Sequence, residues 1–444
     1  MKRLISSLLL SLILSICYSQ NVELLIDNYL QAYYKLGRFN GSILVEKDGK
    51  ILFNKGYGMA NFELQVPNSP QIKFRLGSIT KQFTAMAIVQ LEERGLLNTN
   101  DCISEYIPDY PNGDKITIRH LLTHTSGIPS FTSFSEIEQE KVLPVTPLQI
   151  MDKFKNKELL FQPGTEFKYS DSGYILLGYI IEKVTGKSYS DYLNENIFQP
   201  LTMSNTGYDN PKTILKNRAS GYVYEDGVLH NADYNNMSQP FSAGALFSTT
   251  EDLYKWDREL YKNTLVSDSS LKKIITPYKK NYGYGWFVDD FYSHKKVWHH
   301  GYIDGFCAVI VRFVDDNICI IILSNLINTP ILQINNDIAA ILFDKPYRNP
   351  DKIKAIKIDE EQIREYIGTY EINPTLKLDI KTLNNHLFSQ TTGQGKFEIF
   401  QKEKDIFFTI DFESEISFER GDNGKIIGLI IHQNKNNTKA KKIN

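Results

Sequence analysis

Cysteine is scarce: the 444 residues hold four, at positions 17, 102, 307 and 319. If Cys17 departs with a leader, three remain, an odd number, which argues against a disulfide framework even though export would permit one. Cys307 and Cys319 flank a hairpin expected to turn at Asp315-Asp316. Such a turn pairs Arg312 with Cys319 and leaves Cys307 about 16 Å along its strand at ~3.3 Å per residue, far beyond disulfide reach. The three thiols are read as buried or inert. An excess of one charge is also missing. Lys and Arg number 50 against 52 Asp and Glu, a net charge of −2, without the broad basic footprint of a nucleic-acid binder. Long apolar runs are absent beyond the first twenty residues. The longest, Ile318 to Leu326, contains Ser324 and Asn325 and reads as a buried strand. Metal-ligand spacing is lacking as well. His120 and His124 stand at i, i+4, but Leu121 follows His120 where the zinc motif needs a glutamate, so both are read as structural. Gly283-Tyr284-Gly285 follows no phosphate-loop pattern, and no cofactor or metal is expected.

The N-terminus carries an address. Lys2 and Arg3 precede an apolar stretch of 13 residues, Leu4 to Ile16. That is too short for the ~20 residues of a membrane span and fits a secretory leader. Residues 1–19 are therefore expected to be a signal peptide, cleaved after the small Ser19, with export to the periplasm or medium. Loss of Lys2 and Arg3 brings the net charge to −4. Cys17 leaves a rival open, acylation after lipoprotein cleavage and hence membrane anchoring. The large Ile16 before it speaks against that route.

Periodicity sets out the rest. Val22 to Leu36 has helical apolar spacing. Gly41 to Glu46 and Ile51 to Phe53 flank Asp48-Gly49, a hairpin signature. A helix of about 15 residues is predicted after Ser78, capped at Gly95, and a buried helix over Gly173 to Val184, ending near Gly186. Strands return at Gly283–Val288, Lys296–His300, Phe306–Phe313 and Ile318–Leu323, followed by a helix over Leu332 to Phe343. Strands, a long mostly helical insertion and strands again imply an α/β fold with an antiparallel sheet flanked by helices. This first domain is placed at 20–345. Prolines 346 and 350 and a charged run suggest a linker over 346–358. Residues 359–444 alternate apolar and polar positions between turn signals such as Asp422-Asn423-Gly424, the pattern of a small all-β domain. Its last ten residues, rich in Lys and Asn, are expected to fray.

The chemistry concentrates in three places. Ser78-Ile79-Thr80-Lys81 opens an apolar helix, so Ser78 and Lys81 share one face a turn apart. A serine hydroxyl becomes a nucleophile only beside a group that takes its proton, and a desolvated lysine is one such group. The helix start adds N–H groups for a developing oxyanion. Tyr169-Ser170-Asp171 precedes the second helix; Tyr169 could serve as a phenolate base if held between cations, or Asp171 could be no more than an N-cap. Trp298-His299-His300-Gly301 lies on a strand, where alternation points the two histidines to opposite faces and prevents them from sharing one ion.

In this order the three pieces resemble the serine β-lactamase and penicillin-binding protein superfamily, in its class C β-lactamase, DD-peptidase and esterase branch, with Ser-x-x-Lys, Tyr-x-Asn and Lys/His-x-Gly. The stretches 120–130, 162–170 and 242–256 are similar as well, and the likeness spans about 22 to 343. It implies Ser78 as acyl-accepting nucleophile, Lys81 and Tyr169 sharing acid and base work, and His299 polarising Tyr169 or meeting substrate beside Gly301. It also implies an oxyanion hole from the backbone N–H groups of Ser78 and Tyr302. Two departures stand out. Asp171 replaces the amide of Tyr-x-Asn and, as a carboxylate, cannot donate to a substrate carbonyl; it could pair with Lys81 and leave Tyr169 as principal base. His299 replaces a permanent lysine cation and is mostly neutral above ~6.5. Both lean toward esters or neutral amides, acting on a small-molecule or peptide-like substrate. DD-peptidase or β-lactamase action is the alternative, and a binding protein that keeps the fold without chemistry is a third.

Overall fold

The computed structural model describes residues 21–225, 227–349, 356, 358–383, 386–393, 395–410, 412, 414–433 and 436–443. The expected signal peptide and Cys17 lie outside them, as does most of the expected linker. No helix among the described residues is long and apolar enough to cross a membrane. By contact the chain divides into two compact units, one containing Phe39–Tyr222 and Asn231–Ile327, the other Leu24–Arg38, Val223–His230 and Asn328–Asn444.

The first unit is built on a six-stranded antiparallel sheet. Its strands are Gly41–Lys47 (β1), Lys50–Tyr57 (β2), Phe287–Phe291 (β3), His294–Ile303 (β4), Phe306–Phe313 (β5) and Ile318–Ser324 (β6), in the order β3-β4-β5-β6-β1-β2. Asp48 and Gly49 both adopt positive φ, 55° and 79°, as a two-residue hairpin turn requires. Arg312 pairs with Cys319 in the β5–β6 register, as the hairpin arithmetic has it. Cys102, Cys307 and Cys319 are free thiols. β5 and β6 are buried along their whole length, which explains their unbroken apolar sequences. The strand expected from Gly283 begins only at Phe287, because Tyr282 makes isolated bridges to Lys279 and Phe287 around a turn at Gly285.

Helices that carry the site follow the sequence closely. Thr80–Glu93 (α1) continues from a short 3-10 turn at Gly77–Ile79 and ends at Gly95, whose φ of 68° only glycine adopts at little cost. Asp171–Thr185 (α2) ends at left-handed Gly186. Its N-cap is Ser170, so Asp171 is the first helical residue and not the cap. Phe241–Gly244 (α3) is a single buried turn. Isoleucines, leucines and aromatics of α1 and α2 form one core with the inner face of the sheet.

The second unit contains the N-terminal helix (residues 24–35 of a helix begun at 21), a helix at Ile331–Leu342 (α4) and a closed eight-stranded antiparallel barrel. A further helix, Glu360–Tyr366 (α5), precedes the barrel and was not legible as a helix in the all-β pattern. The last strand, Asn436–Lys442, corrects the expectation of a frayed tail. It pairs along one side with Ile426–Gln433 and closes on Tyr370 and Glu371 along the other, burying Ala440. Inside this unit Arg38 donates to Glu398 at 2.7 Å, with both side chains buried, and Glu398 also takes His386.

Candidate active site

Gly77 brings the nucleophile turn against the sheet. Its φ is 52°, and a Cβ there would fall 2.9 Å from the Tyr302 nitrogen. Gly301 does the same from the strand side: a Cβ would meet the Leu76 carbonyl oxygen at 2.0 Å and the Ser78 nitrogen at 2.7 Å. Backbone from the two elements therefore touches without intervening side chains. The register fixes which N–H groups meet. Ile303 and Phe306 close a two-residue turn, so the next pair, Tyr302 and Cys307, is of the non-hydrogen-bonded type. The Tyr302 N–H then points away from β5, and β3 pairs only with residues 294–298. The close approach of Gly77 and Gly301 brings this nitrogen beside that of Ser78 at the opening of the 3-10 turn, an arrangement able to hold an oxyanion.

Lys81 lies beneath Ser78, fully buried. Its Nζ donates to Ser78 Oγ at 3.0 Å, to Asp171 Oδ1 at 2.6 Å and to the Ala243 carbonyl of α3 at 2.9 Å. Burial pulls its pKa below the ordinary lysine value, opposed by Asp171. Burial pushes Asp171 the other way, but Lys81, His124 and the Thr132 hydroxyl outweigh it and hold the carboxyl below the usual carboxylate range. Ser130 and Thr132 donate to Asp171 Oδ2 at 3.3 and 3.1 Å.

The Tyr169 hydroxyl is buried and has no hydrogen-bond partner. Ser78 is near enough to favour its phenolate, but burial and then Asp171 drive its pKa well above the ordinary phenol value. It is not held between cations: the one ammonium at hand, Lys81, sits 5.0 Å from the ring centroid and is balanced by Asp171. The sequence expectation of Tyr169 as principal base finds no support in this environment.

His299 is 1% exposed and spends both ring nitrogens on the protein. Nδ1 donates to the His300 carbonyl at 2.6 Å, which makes Nε2 the acceptor of the Tyr282 hydroxyl at 3.0 Å. Burial, then His300 and Lys81, keep it well below its ordinary pKa. It does not line the cleft, and its ring centroid is 6.2 Å from that of Tyr169, without a hydrogen bond between them. The geometry gives it a supporting place under the site instead of a contact with substrate. His120 and His124 are structural, as read from the sequence. His120 caps its helix through Nδ1. His124 accepts from the Ser170 N–H at 3.1 Å and packs 4.1 Å from the Tyr169 ring.

An open cleft of about 630 Å³ leads to Ser78. Asp171 and Tyr302 line it, together with residues the sequence reading passed over: Thr132, Lys141, Asn235, Gln239 and Asp304. Lys141 is the one basic side chain among the described lining residues, and it is taken by Glu138, Asp233 and Asp304. Only the family-like stretch at 120–130 hinted at Ser130. No local pattern marks the others, which arrive from loops far apart in sequence.

The antiparallel sheet, the serine at the opening of a buried helix and the paired lysine define the serine β-lactamase and penicillin-binding protein class. The β-lactamase family profile matches residues 25–341, and the chain belongs to that family, one of serine hydrolases. A domain of unknown function, DUF3471, matches residues 352–443. A penicillin-binding protein of Bacillus subtilis (strain 168) is 30% identical over 87% of this chain and 91% of its own length. The putative penicillin-binding protein PbpX of the same organism is 34% identical over 71% of this chain and 78% of its own. Among solved structures, the octameric penicillin-binding protein homologue from Pyrococcus abyssi superposes with a TM-score of 0.67 at 27% identity, covering 95% of this chain and 99% of that one.

Proposed function

We propose that this chain is an exported serine hydrolase that opens an ester or uncharged amide bond through an acyl-enzyme on Ser78. The reading is carried by one juxtaposition: Ser78 Oγ 3.0 Å from Lys81 Nζ, at a turn where two backbone N–H groups converge. Ser78 Oγ attacks the carbonyl carbon, the alcohol or amine leaves, and water releases the acid. The N–H groups of Ser78 and Tyr302 take the charge that builds on the carbonyl oxygen, a contribution that mutational losses put at about 3–4 kcal/mol per donor. The preference for uncharged substrates is supported by the cleft itself. Its lining lysine is already paired with three carboxylates, and His299 is buried and neutral, so a substrate carboxylate meets no free cation there. Export is supported by the basic start and short apolar stretch of residues 2–16.

A second reading, DD-peptidase or β-lactamase action, draws on the penicillin-binding proteins named above. Hydrolysis rates for a neutral ester, a cephalosporin and a D-Ala-D-Ala peptide separate the two. Faster turnover of the ester agrees with the proposal; a D-Ala-D-Ala peptide or cephalosporin as the better substrate would replace it with the second reading.

A further inference from the structure

Attack by Ser78 requires a place for its proton, and the groups around it leave few. Lys81 contacts Ser78, Asp171 and Ala243, and the ionised Asp171 at 2.6 Å holds it as an ammonium without a lone pair. Tyr169 is a buried neutral phenol. His124 and His299 are turned away by their hydrogen bonds to Ser170, His300 and Tyr282. One acceptor is in direct contact with the ammonium: Asp171 Oδ1, at 2.6 Å. Ser130 and Thr132 engage the other oxygen of that carboxylate, which leaves Oδ1 to Lys81.

We propose that Asp171 receives a proton from Lys81 as Ser78 attacks, so that Lys81 acts as the base without any proton leaving the site. The proposal rests on acyl transfer at Ser78. The Oγ–H bond breaks as the Oγ–carbon bond forms, and that proton passes to Nζ. Nζ gives one of its own to Asp171 Oδ1, and the carbonyl π pair moves onto the oxygen facing Ser78 and Tyr302 N–H. When the tetrahedral intermediate collapses, Lys81 protonates the leaving oxygen or nitrogen and recovers its proton from Asp171. Asp171 thus acts through Lys81.

The signature is in the pH profile. The groups facing the pair are His124, His299 and His300, all kept neutral by burial, and the phenols of Tyr169, Tyr174 and Tyr282, whose pKa values burial raises. None of them titrates between pH 5 and 9. The wild-type pair is competent once Asp171 is ionised, at or below the ordinary carboxylate value of ~3.9. In Asp171→Asn the ammonium must first lose a proton to bulk water. The acid limb then moves up by at least ~2 pH units, so activity on the acid side of both limbs falls ~100-fold or more and recovers as the pH rises toward 9.

The test is the acetylation burst with p-nitrophenyl acetate from pH 4 to 10, for the wild type, Asp171→Asn and Asp171→Glu, with intact-mass detection of the acetyl group on Ser78. A wild-type limb in the acid range, an alkaline shift in the Asn variant and a near wild-type profile in the Glu variant support the proposal. Coincident limbs in the wild type and the Asn variant overturn it alone. So does a wild-type limb above pH 7, even if the Asn variant fails to fold. An absence of acetyl-Ser78 in the wild type overturns it together with the acyl-transfer reading.

Discussion

Replacing Gly301 with alanine adds one methyl group at the contact on which the oxyanion site depends. The new carbon would lie 2.0 Å from the Leu76 carbonyl oxygen, 2.7 Å from the Ser78 nitrogen and 3.0 Å from the Gly77 carbonyl carbon. Ordinary contact is about 3.5 Å, so the strand and the nucleophile turn must part by more than ~1 Å. Backbone on both sides leaves no flexible side chain to yield. Overpacking of this kind costs about 1–3 kcal/mol of stability. The larger effect falls on kcat, because the N–H groups of Tyr302 and Ser78 no longer converge; loss of one such donor lowers rate about 10²–10³-fold. The assay is steady-state hydrolysis of p-nitrophenyl acetate together with thermal unfolding. Gly186→Ala serves as control. Its φ is 68° but nothing lies within 4 Å of the added carbon, so it should lose about 1 kcal/mol and keep its kcat. A folded Gly301→Ala protein with wild-type kcat would refute the derivation of the oxyanion site.

Burial keeps His299 neutral, so the kcat/KM ratio between an ester bearing a free carboxylate and its methyl ester should stay constant from pH 5 to 8; a carboxylate preference growing as pH falls would show an imidazolium reading substrate charge. Glu46 is pushed up to about 7 by burial, against the pull of Arg258, while its unfolded value is 4.5. Its folded form holds the proton more tightly, so its contribution to stability is full below pH 4.5 and is lost as pH rises through 7. Glu46→Gln should therefore flatten the fall in Tm between pH 5 and 8, and an unchanged slope would count against the assignment. Asp257 accepts from Arg312 Nε at 2.6 Å with both side chains buried, so Asp257→Ala should cost about 3–5 kcal/mol in denaturant unfolding, and a loss below 1 kcal/mol would contradict the burial argument.

What the sequence could tell depended on how local each feature is. The Ser78–Lys81 contact is a property of one helical turn, and its partners could be named from spacing alone. The Arg312–Cys319 pairing followed from counting across a turn, and the caps at Gly95 and Gly186 from the one residue type that tolerates a left-handed backbone. The Asp171–Lys81 pair was legible as a possibility because a carboxylate stood where an amide was expected. The state of Tyr169 was not, since its pKa depends on burial and on Asp171, and no residue pattern encodes desolvation. Nor was the direction of His299, which is set by the hydroxyl of Tyr282 and the carbonyl of His300. Lys141, Asn235 and Asp304 meet in the cleft from segments up to 163 residues apart, joined by hydrogen bonds that leave no local mark. In the barrel the strand Asn436–Lys442 lacks an apolar rhythm because only Ala440 of its residues faces the core.

The central claim is that Ser78 is the nucleophile. Intact-mass measurement after incubation with a fluorophosphonate, followed by peptide mapping, addresses it directly in the wild type and in Ser78→Ala. One adduct per chain on Ser78, absent from a folded Ser78→Ala protein that has also lost ester turnover, is the result expected. Turnover retained by Ser78→Ala, or an adduct on another residue, would contradict the account.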